Sequence, residues 1–265
     1  LKILVGHGAV EDIMIDAHPH IGTNKLPKII AKMRENILSH GGEIHFDCRV
    51  VDLIIKGAKI KGVVDQNGNK ILGHSVILAT GHSARDIFYL LKQHKIKIEA
   101  KPFALGVRIE HPQPIIDKAQ YHCNVRSKYL PAASYKFVQQ VNGKGIFSFC
   151  MCPGGHIVPS ATEPGEVVVN GMSASTRSSR YANSGMVVAI EEEDLIKYAK
   201  HGELAGLVFQ QEMEKMAWEA GGKTQAAPAQ RMVDFTNGKF SNTLNDCSYI
   251  PGINSAPLHE LLPSM

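Results

Sequence analysis

Residues 76–86 read Val-Ile-Leu-Ala-Thr-Gly-His-Ser-Ala-Arg-Asp. Apolar residues that run into a small-residue turn predict a buried parallel strand over 76–80, followed by a helix from about residue 84 to residue 94. A strand that stops in this way directs backbone N–H groups at an anion such as a nucleotide diphosphate. Many buried strands end in the same pattern without a ligand, so these residues alone leave both interpretations open.

Composition excludes several classes of protein. The chain has 265 residues, a formal net charge of +4 and no apolar run long enough for a membrane helix. Its basic residues are scattered, which argues against a dedicated nucleic-acid surface. Five cysteines, an odd number without small-domain spacing, favour a reducing compartment, for which the cytoplasm is the default.

Periodicity predicts the elements on either side of the 76–86 stretch. A helix is expected over 24–40 with Asn24 as its N-cap, and three antiparallel strands are expected over 50–55, 60–64 and 70–72. The second half predicts strands over 104–110, 145–151 and 166–172 and a helix over 203–220. The predicted fold class is therefore α/β plus α+β. It consists of a partial Rossmann-like FAD/NAD(P)-binding sheet with a three-stranded β-meander in residues 1–92, followed by an inserted, mixed β-rich substrate domain in residues 93–265.

Four motifs carry a resemblance to a known family. They are His18-Pro19-His20-Ile21-Gly22-Thr23-Asn24-Lys25-Leu26-Pro27, the stretch 77–86, Cys150-Met151-Cys152-Pro153-Gly154-Gly155 and Asn170-Gly171-Met172-Ser173, with the predicted meander between the first and the second of them. In this order and spacing, and over essentially the whole chain, they resemble a family of bacterial FAD-dependent dehydrogenases, mostly uncharacterised. The resemblance implies a flavoprotein of the glutathione-reductase type, with two dinucleotide-binding domains and a substrate domain inserted after the Ala-Thr-Gly strand.

The sequence departs from that family pattern at both ends. Such proteins carry an N-terminal Gly-rich loop for the pyrophosphate, but here Gly6-His7-Gly8 is followed by Glu11 where the third glycine belongs. The C-terminal segment that holds the ribityl chain and flavin is not recognisable either. We therefore expect this chain to be the middle of a longer flavoprotein, with FAD bound in the intact protein and an empty cofactor site in this piece.

The resemblance and the residue types together give candidate site residues. The residues expected to contact the nucleotide are Val50, Ala79, Thr80 and Gly81. Gly81 suits this role because a glycine allows close backbone approach. Those expected to bind substrate are Ser83, Arg85, Pro153, Gly154, Gly155, Asn170, Gly171, Met172, Ser173 and Asn183. The 153–155 turn is expected to direct backbone N–H groups at the flavin or substrate. No catalytic residue is assigned, and the candidates are His82, Cys150 and Cys152.

Each candidate also has an interpretation without a ligand. Val50 suits a core position, Arg85 with Asp86 suits a solvated helix start, and the 170–173 side chains suit turn capping. Alternation along a strand places Cys150 and Cys152 on one face, where cysteines are commonly small buried hydrophobes. The histidines of the 7–20 region lack a ligand arrangement, so no metal is expected.

The preferred function is an FAD-dependent oxidoreductase that transfers hydride between the flavin and a small-molecule substrate or nicotinamide, with NAD(P)H as the candidate reductant. The piece alone is expected to be inactive. The alternative is a non-catalytic binding or assembly module derived from a flavoprotein, with RNA as the partner to exclude. No membrane association is expected, and the sequence does not determine the oligomeric state.

Overall fold

A computed structural model describes residues 1–263 of the protein. The helices are α1 (Lys2–Gly6), α2 (Leu26–Ser39), α3 (Arg85–Gln93), α4 (Gln113–Tyr121), α5 (Ala205–Ala220), α6 (Met232–Thr236) and α7 (Leu258–Leu261), with 3-10 segments at Glu11–Met14 and Glu192–Leu204. The strands are β1 (Val50–Lys56), β2 (Lys59–Asp65), β3 (Lys70–Leu72), β4 (Phe103–Pro112), β5 (Val138–Val141), β6 (Lys144–Cys152), β7 (His156–Pro159), β8 (Val169–Met172), β9 (Tyr181–Ile190), β10 (Ala227–Ala229) and β11 (Ile253–Ser255).

The predicted helix and meander of the first part are confirmed. Strands β1, β2 and β3 form an antiparallel sheet in sequence order. Its turns are tight because Gly57 and Gly68 adopt left-handed backbone angles, φ 62° and 81°. Helix α3 also begins and ends within a residue of its predicted bounds. Local patterning is sufficient for these elements because each contacts its neighbour in the chain.

The buried strand predicted over 76–80 is wrong for this chain. These residues form no strand, and the Ile77 side chain is 91% exposed. A parallel strand is stabilised only by neighbouring strands, and within residues 1–263 the parallel pair is β10 with β11, elsewhere in the molecule. The structure is thus mixed α/β with several antiparallel sheets, and the exposed apolar run 76–78 lacks the sheet that its sequence predicts.

The second part is built on an antiparallel sheet of four strands in the order β4-β9-β6-β5. Its predicted strands over 104–110 and 145–151 are confirmed as β4 and β6, and the predicted helix over 203–220 is confirmed as α5. One face of β4 and β9 packs on the 3-10 segment and α5. The buried residues of this cluster are Ile190, Leu195, Ala205 and Phe209. The sheet therefore has one face covered by helix, as its alternating sequence requires.

A loop from the first part is attached to the second part near strand β8. Thr23 donates its backbone N–H to Ser173 O at 3.0 Å, and Asn24 Oδ1 accepts the N–H of Ser175 at 2.9 Å. Asn24 is therefore not the N-cap of α2, which is Lys25 without a side-chain cap. A Cβ on Gly22 would lie 2.3 Å from Ser175 N, so this close approach requires a glycine.

Among residues 1–263, no helix combines the length and the apolar character that a membrane crossing requires. The division into domains at residue 92 stays a prediction.

Candidate functional site

Four of the predicted site residues surround an arginine that the sequence analysis did not single out. Arg108, in the middle of β4, donates from Nη1 to Asn183 Oδ1 at 2.6 Å and to Cys150 O at 3.3 Å. Its Nη2 donates to Asn170 Oδ1 at 3.2 Å. We call Arg108, Cys150, Cys152, Asn170 and Asn183 the Arg108 cluster. It brings together residues from four strands, β4, β6, β8 and β9.

Glycines provide the space for this guanidinium. A Cβ on Gly171 would lie 2.3 Å from both Arg108 Nη1 and Asn183 Oδ1, so the side chains of the cluster occupy the volume that any other residue would need. Gly185 pairs with Arg108 on one side and with Phe149 on the other. Since directly paired residues project from the same face of a sheet, Arg108 and Phe149 flank a position without a side chain.

The charge of Arg108 has no carboxylate partner in the described residues, where every carboxylate oxygen lies beyond 4.0 Å. All three of its hydrogen-bond acceptors are neutral oxygens. Burial lowers the pKa of the Arg108 guanidinium from its usual value, although an arginine stays protonated at any physiological pH. The cluster therefore holds a partly buried, uncompensated positive charge.

Asn183 adds an unsatisfied donor beside that charge. Its side chain is fully buried, and its Oδ1 accepts a hydrogen bond from Arg108. This bond orients the amide group, so that Nδ2 lies on the side away from that bond. Asn183 Nδ2 has no hydrogen-bond partner in the described residues. Such a group costs about 1–3 kcal/mol unless an acceptor is supplied. The cluster is thus short of an acceptor as well as of a negative charge.

The predicted turn at 153–155 borders the cluster, and two of its amides donate to acceptors within the chain. Gly154 donates its N–H to Gln113 Oε1 at 2.7 Å, and Gly155 donates to Tyr181 O at 3.0 Å. Ser173, which is buried, donates its hydroxyl to Pro153 O at 3.1 Å. Both amides therefore have acceptors within the chain, and the expectation that this turn contacts flavin or substrate stays a prediction. The turn positions Cys152 and β8.

Cys150 and Cys152 are both free thiols in different environments. A bulge shifts the register between Phe149 and Cys152, and Cys150 has a φ of 45°, so the alternation that would place both side chains on one face is interrupted. The Cys150 thiol is exposed. Burial raises the pKa of the Cys152 thiol despite the opposing charge of Arg108. Cys152 is thus a neutral thiol at physiological pH and not an activated nucleophile.

A histidine–tyrosine pair lies near Arg108, whose charge acts on the pKa of the tyrosine. Neither residue was among the predicted site residues. His111 Nε2 and Tyr135 Oη are 3.3 Å apart. Burial lowers the pKa of His111 and raises the pKa of Tyr135, and Arg108 opposes the second shift. Both groups are therefore neutral at neutral pH and able to donate or accept a proton. The only sequence signal was a histidine directly after the strand predicted over 104–110.

Arg85 belongs to a different cluster, which shares no residue with the Arg108 cluster. Its Nη1 bonds both carboxylate oxygens of Glu166, at 2.7 and 2.8 Å, and its Nη2 bonds Glu214 Oε2 at 2.5 Å. We call Arg85, Glu166 and Glu214 the Arg85 triad. The triad joins α3 to α5 and to the segment before β8. Its guanidinium is already engaged by carboxylates, and its role as a substrate ligand stays a prediction.

Glu214→Gln is expected to flatten the pH dependence of stability. Burial raises the pKa of Glu214 above its usual 4.5, and the neighbouring Glu166 adds to the shift while Arg85 opposes it. A group with a raised folded-state pKa contributes stability below its unfolded pKa and loses that contribution as the pH rises through the folded value. The excess unfolding free energy of wild type over E214Q should therefore fall as the pH rises above 4.5.

Urea unfolding of the intact protein over a pH series measures this difference. Glu219→Gln, at an exposed position of the same helix, is the matched control and should leave the profile unchanged. A difference between wild type and E214Q that grows with pH would contradict the assignment.

Met172, another predicted residue, is the exposed last residue of β8. Six further predicted residues lie apart from the Arg108 cluster. His82 is exposed, and together with Ser83 it lines a small cleft with Ser160, Gln210 and Glu214. The other four are Val50, Ala79, Thr80 and Gly81. Arg49 bonds Asp86 at 2.6 Å, which holds the start of β1 beside the start of α3. No hydrogen bond between described residues joins this region to the Arg108 cluster.

Gly81 has a left-handed backbone and open surroundings. Its φ is 74°, and nothing lies within 4 Å of the position that a Cβ would occupy. Ala79 and Thr80 are exposed beside it. These residues are therefore compatible with a nucleotide contact from one side. Within residues 1–263, no group of three His, Cys, Asp or Glu side chains is arranged to hold a metal ion.

Comparison with known proteins bears on the second part of the chain most directly. The chain is 37% identical over 267 residues to an uncharacterized protein of Clostridium beijerinckii, a match that covers 99% of this chain and 49% of that protein. The chain thus spans about half the length of that relative. Residues 102–265, which contain the entire Arg108 cluster, match the family described as FAD-dependent protein, C-terminal domain-like. The chain therefore belongs to this family of FAD-dependent proteins.

Proposed function

We propose that this chain is the central part and the substrate domain of an FAD-dependent oxidoreductase that acts on a small molecule. The observation that carries the proposal is that the Arg108 cluster lies wholly within the region 102–265 that matches the FAD-dependent family. An open cluster with an uncompensated charge is what a substrate site needs and a purely structural sheet does not. Residues 93–265 are the substrate domain in this proposal.

Residues 1–92 contribute one part of the cofactor domain. The exposed apolar run 76–78 supports a Rossmann-like sheet that is completed by other strands of the intact protein. Val50, Ala79, Thr80 and Gly81 would then hold the nucleotide end of FAD. The flavin supplies hydride transfer when it is bound, with NAD(P)H as the candidate reductant and the cytoplasm as the expected location. Residues of this chain bind and orient the substrate and exclude water from it.

The test is purification of the intact protein without added cofactor. We expect visible flavin absorbance, and bleaching of that absorbance by NADH or NADPH without oxygen. Gly81→Ala should weaken FAD binding, while Gly68→Ala is the matched control, because its left-handed backbone and open surroundings are the same but it lies in the β2–β3 turn. A protein without flavin that takes up no FAD would refute the proposal.

A further inference from the structure

We propose that the Arg108 cluster binds a carboxylate group of the substrate, and that the substrate carries an apolar body that lies along the adjacent sheet face. This inference rests on the proposed function and specifies its substrate class. It starts from the two deficits of the cluster, a positive charge without a counter-ion and a buried amide without an acceptor. A planar oxyanion supplies the missing negative charge and acceptor oxygens for the guanidinium.

The donors of the cluster are suited to a carboxylate. A guanidinium has five N–H groups, of which the structure uses three on neutral oxygens. The other two are available to an external acceptor, and guanidinium groups bind carboxylates through paired N–H donors. Asn183 Nδ2 is a further donor in the same cluster, fully buried and unpartnered. The exposed side chain of Asn170 forms the rim through which a ligand enters.

The charge balance favours a carboxylate over a phosphate. In the described part of the chain, no lysine or second arginine hydrogen-bonds to the residues of the cluster, so Arg108 is the one cation bonded within it. A carboxylate brings one negative charge, whereas a phosphate monoester carries about −1.5 to −2 at neutral pH. A partly buried site with one guanidinium would leave the second phosphate charge uncompensated, which is costly.

The surface next to Arg108 is apolar. Phe149, whose side chain is 55% exposed, projects from the same face, and beyond it Phe147, Val187 and Ala104 line an open depression. Ala104 and Arg108 are four positions apart along β4, which is about 13 Å at the usual rise per residue. A carboxylic acid with an aromatic or aliphatic body fits this arrangement, with the carboxylate at Arg108 and the body over Phe149.

Calorimetric titration of the intact protein tests the inference with four probes: benzoate, hexanoate, the uncharged isostere benzamide and inorganic phosphate. We expect both carboxylates to bind at least about tenfold more tightly than benzamide and more tightly than phosphate. Arg108→Gln should remove about tenfold of the benzoate affinity, and Arg108→Lys should retain part of it.

Gly171→Ala provides a variant that keeps the charge. Its new Cβ displaces Arg108 and Asn183, so benzoate binding should weaken, while Gly145→Ala, whose Cβ meets only Gln140 at 3.5 Å, should bind as wild type does. Thermal melts followed by circular dichroism verify that each variant is folded. Equal affinity for benzoate and benzamide, tighter binding of phosphate, no carboxylate binding, or unchanged affinity in R108Q would each overturn the inference.

The two proposals fail in different ways. A protein without flavin that still binds benzoate through Arg108 would refute the oxidoreductase and keep the carboxylate site. A flavin-containing protein without carboxylate preference would refute only the present inference.

Discussion

Arg85→Met is expected to destabilise the intact protein by about 3–5 kcal/mol, the cost of leaving buried charges without their partner. The side chain of Glu166 is 2% exposed and has both oxygens on Arg85, and Glu214 is nearly as buried. Removal of the guanidinium leaves two carboxylates facing each other away from water. Urea unfolding measures the loss.

Arg49→Gln is the matched control. Arg49 forms an ion pair with Asp86 at 2.6 Å, but its side chain is 69% exposed. An exposed ion pair contributes little to stability because solvent and salt screen it, so this variant should remain close to wild type. A second variant combines Arg85→Met with Glu166→Leu and Glu214→Leu and removes all three charges. It should recover most of the stability, because an apolar replacement of a buried ion cluster is often neutral. A loss in R85M no larger than in R49Q would show that the triad is unimportant.

The local elements of this fold were predictable from the sequence. Helix α2, the β1–β3 meander and helix α5 follow from periodicity and from glycine turns, because each packs against its neighbours in the chain. The 76–80 strand was not predictable in the same way. Its apolar run predicts a buried strand, but residues 1–263 do not supply neighbouring strands that would bury it.

The candidate site was predictable only in part. Asn170, Gly171 and Asn183 were named from the family resemblance, and the structure brings them to Arg108. Arg108 itself was missed, although an arginine between Val107 and Ile109 in a predicted strand is a signal, since a charge at such a position is rarely buried without a reason. The pairing that places Asn183 beside it depends on the β4–β9 register, which no local pattern contains.

Arg85, unlike Arg108, was named as a candidate site residue, but its partners were not predicted. The sequence places it at a helix start, where a solvated cap or an anion site is the ordinary expectation. Its actual partners, Glu166 and Glu214, lie 81 and 129 residues further along the chain. Long-range ion pairs of this kind follow from the tertiary fold and leave no trace in the residues around Arg85.

Gly154→Ala is expected to cause the second large loss of stability. A Cβ at this position would lie 1.8 Å from Arg177 O, and the backbone φ is 53°. Overpacking typically costs about 1–3 kcal/mol and a left-handed non-glycine residue about 1–3 kcal/mol, so the variant should lose about 2–6 kcal/mol. The clash is with backbone, which cannot move aside as the end of a flexible side chain can.

The loss should extend beyond stability because Gly154 lies between the bonds that hold the turn. Its N–H is bound by the buried Gln113, and Ser173 is bonded to the carbonyl of the preceding Pro153. A displaced turn therefore shifts Cys152 and β8, which supplies Asn170 to the Arg108 cluster. Gly143→Ala, which has a φ of 79° and open space around the new Cβ, incurs only the backbone cost and leaves the cluster in place. If urea unfolding and benzoate titration gave the same result for G154A as for G143A, the turn would have no part in positioning the site.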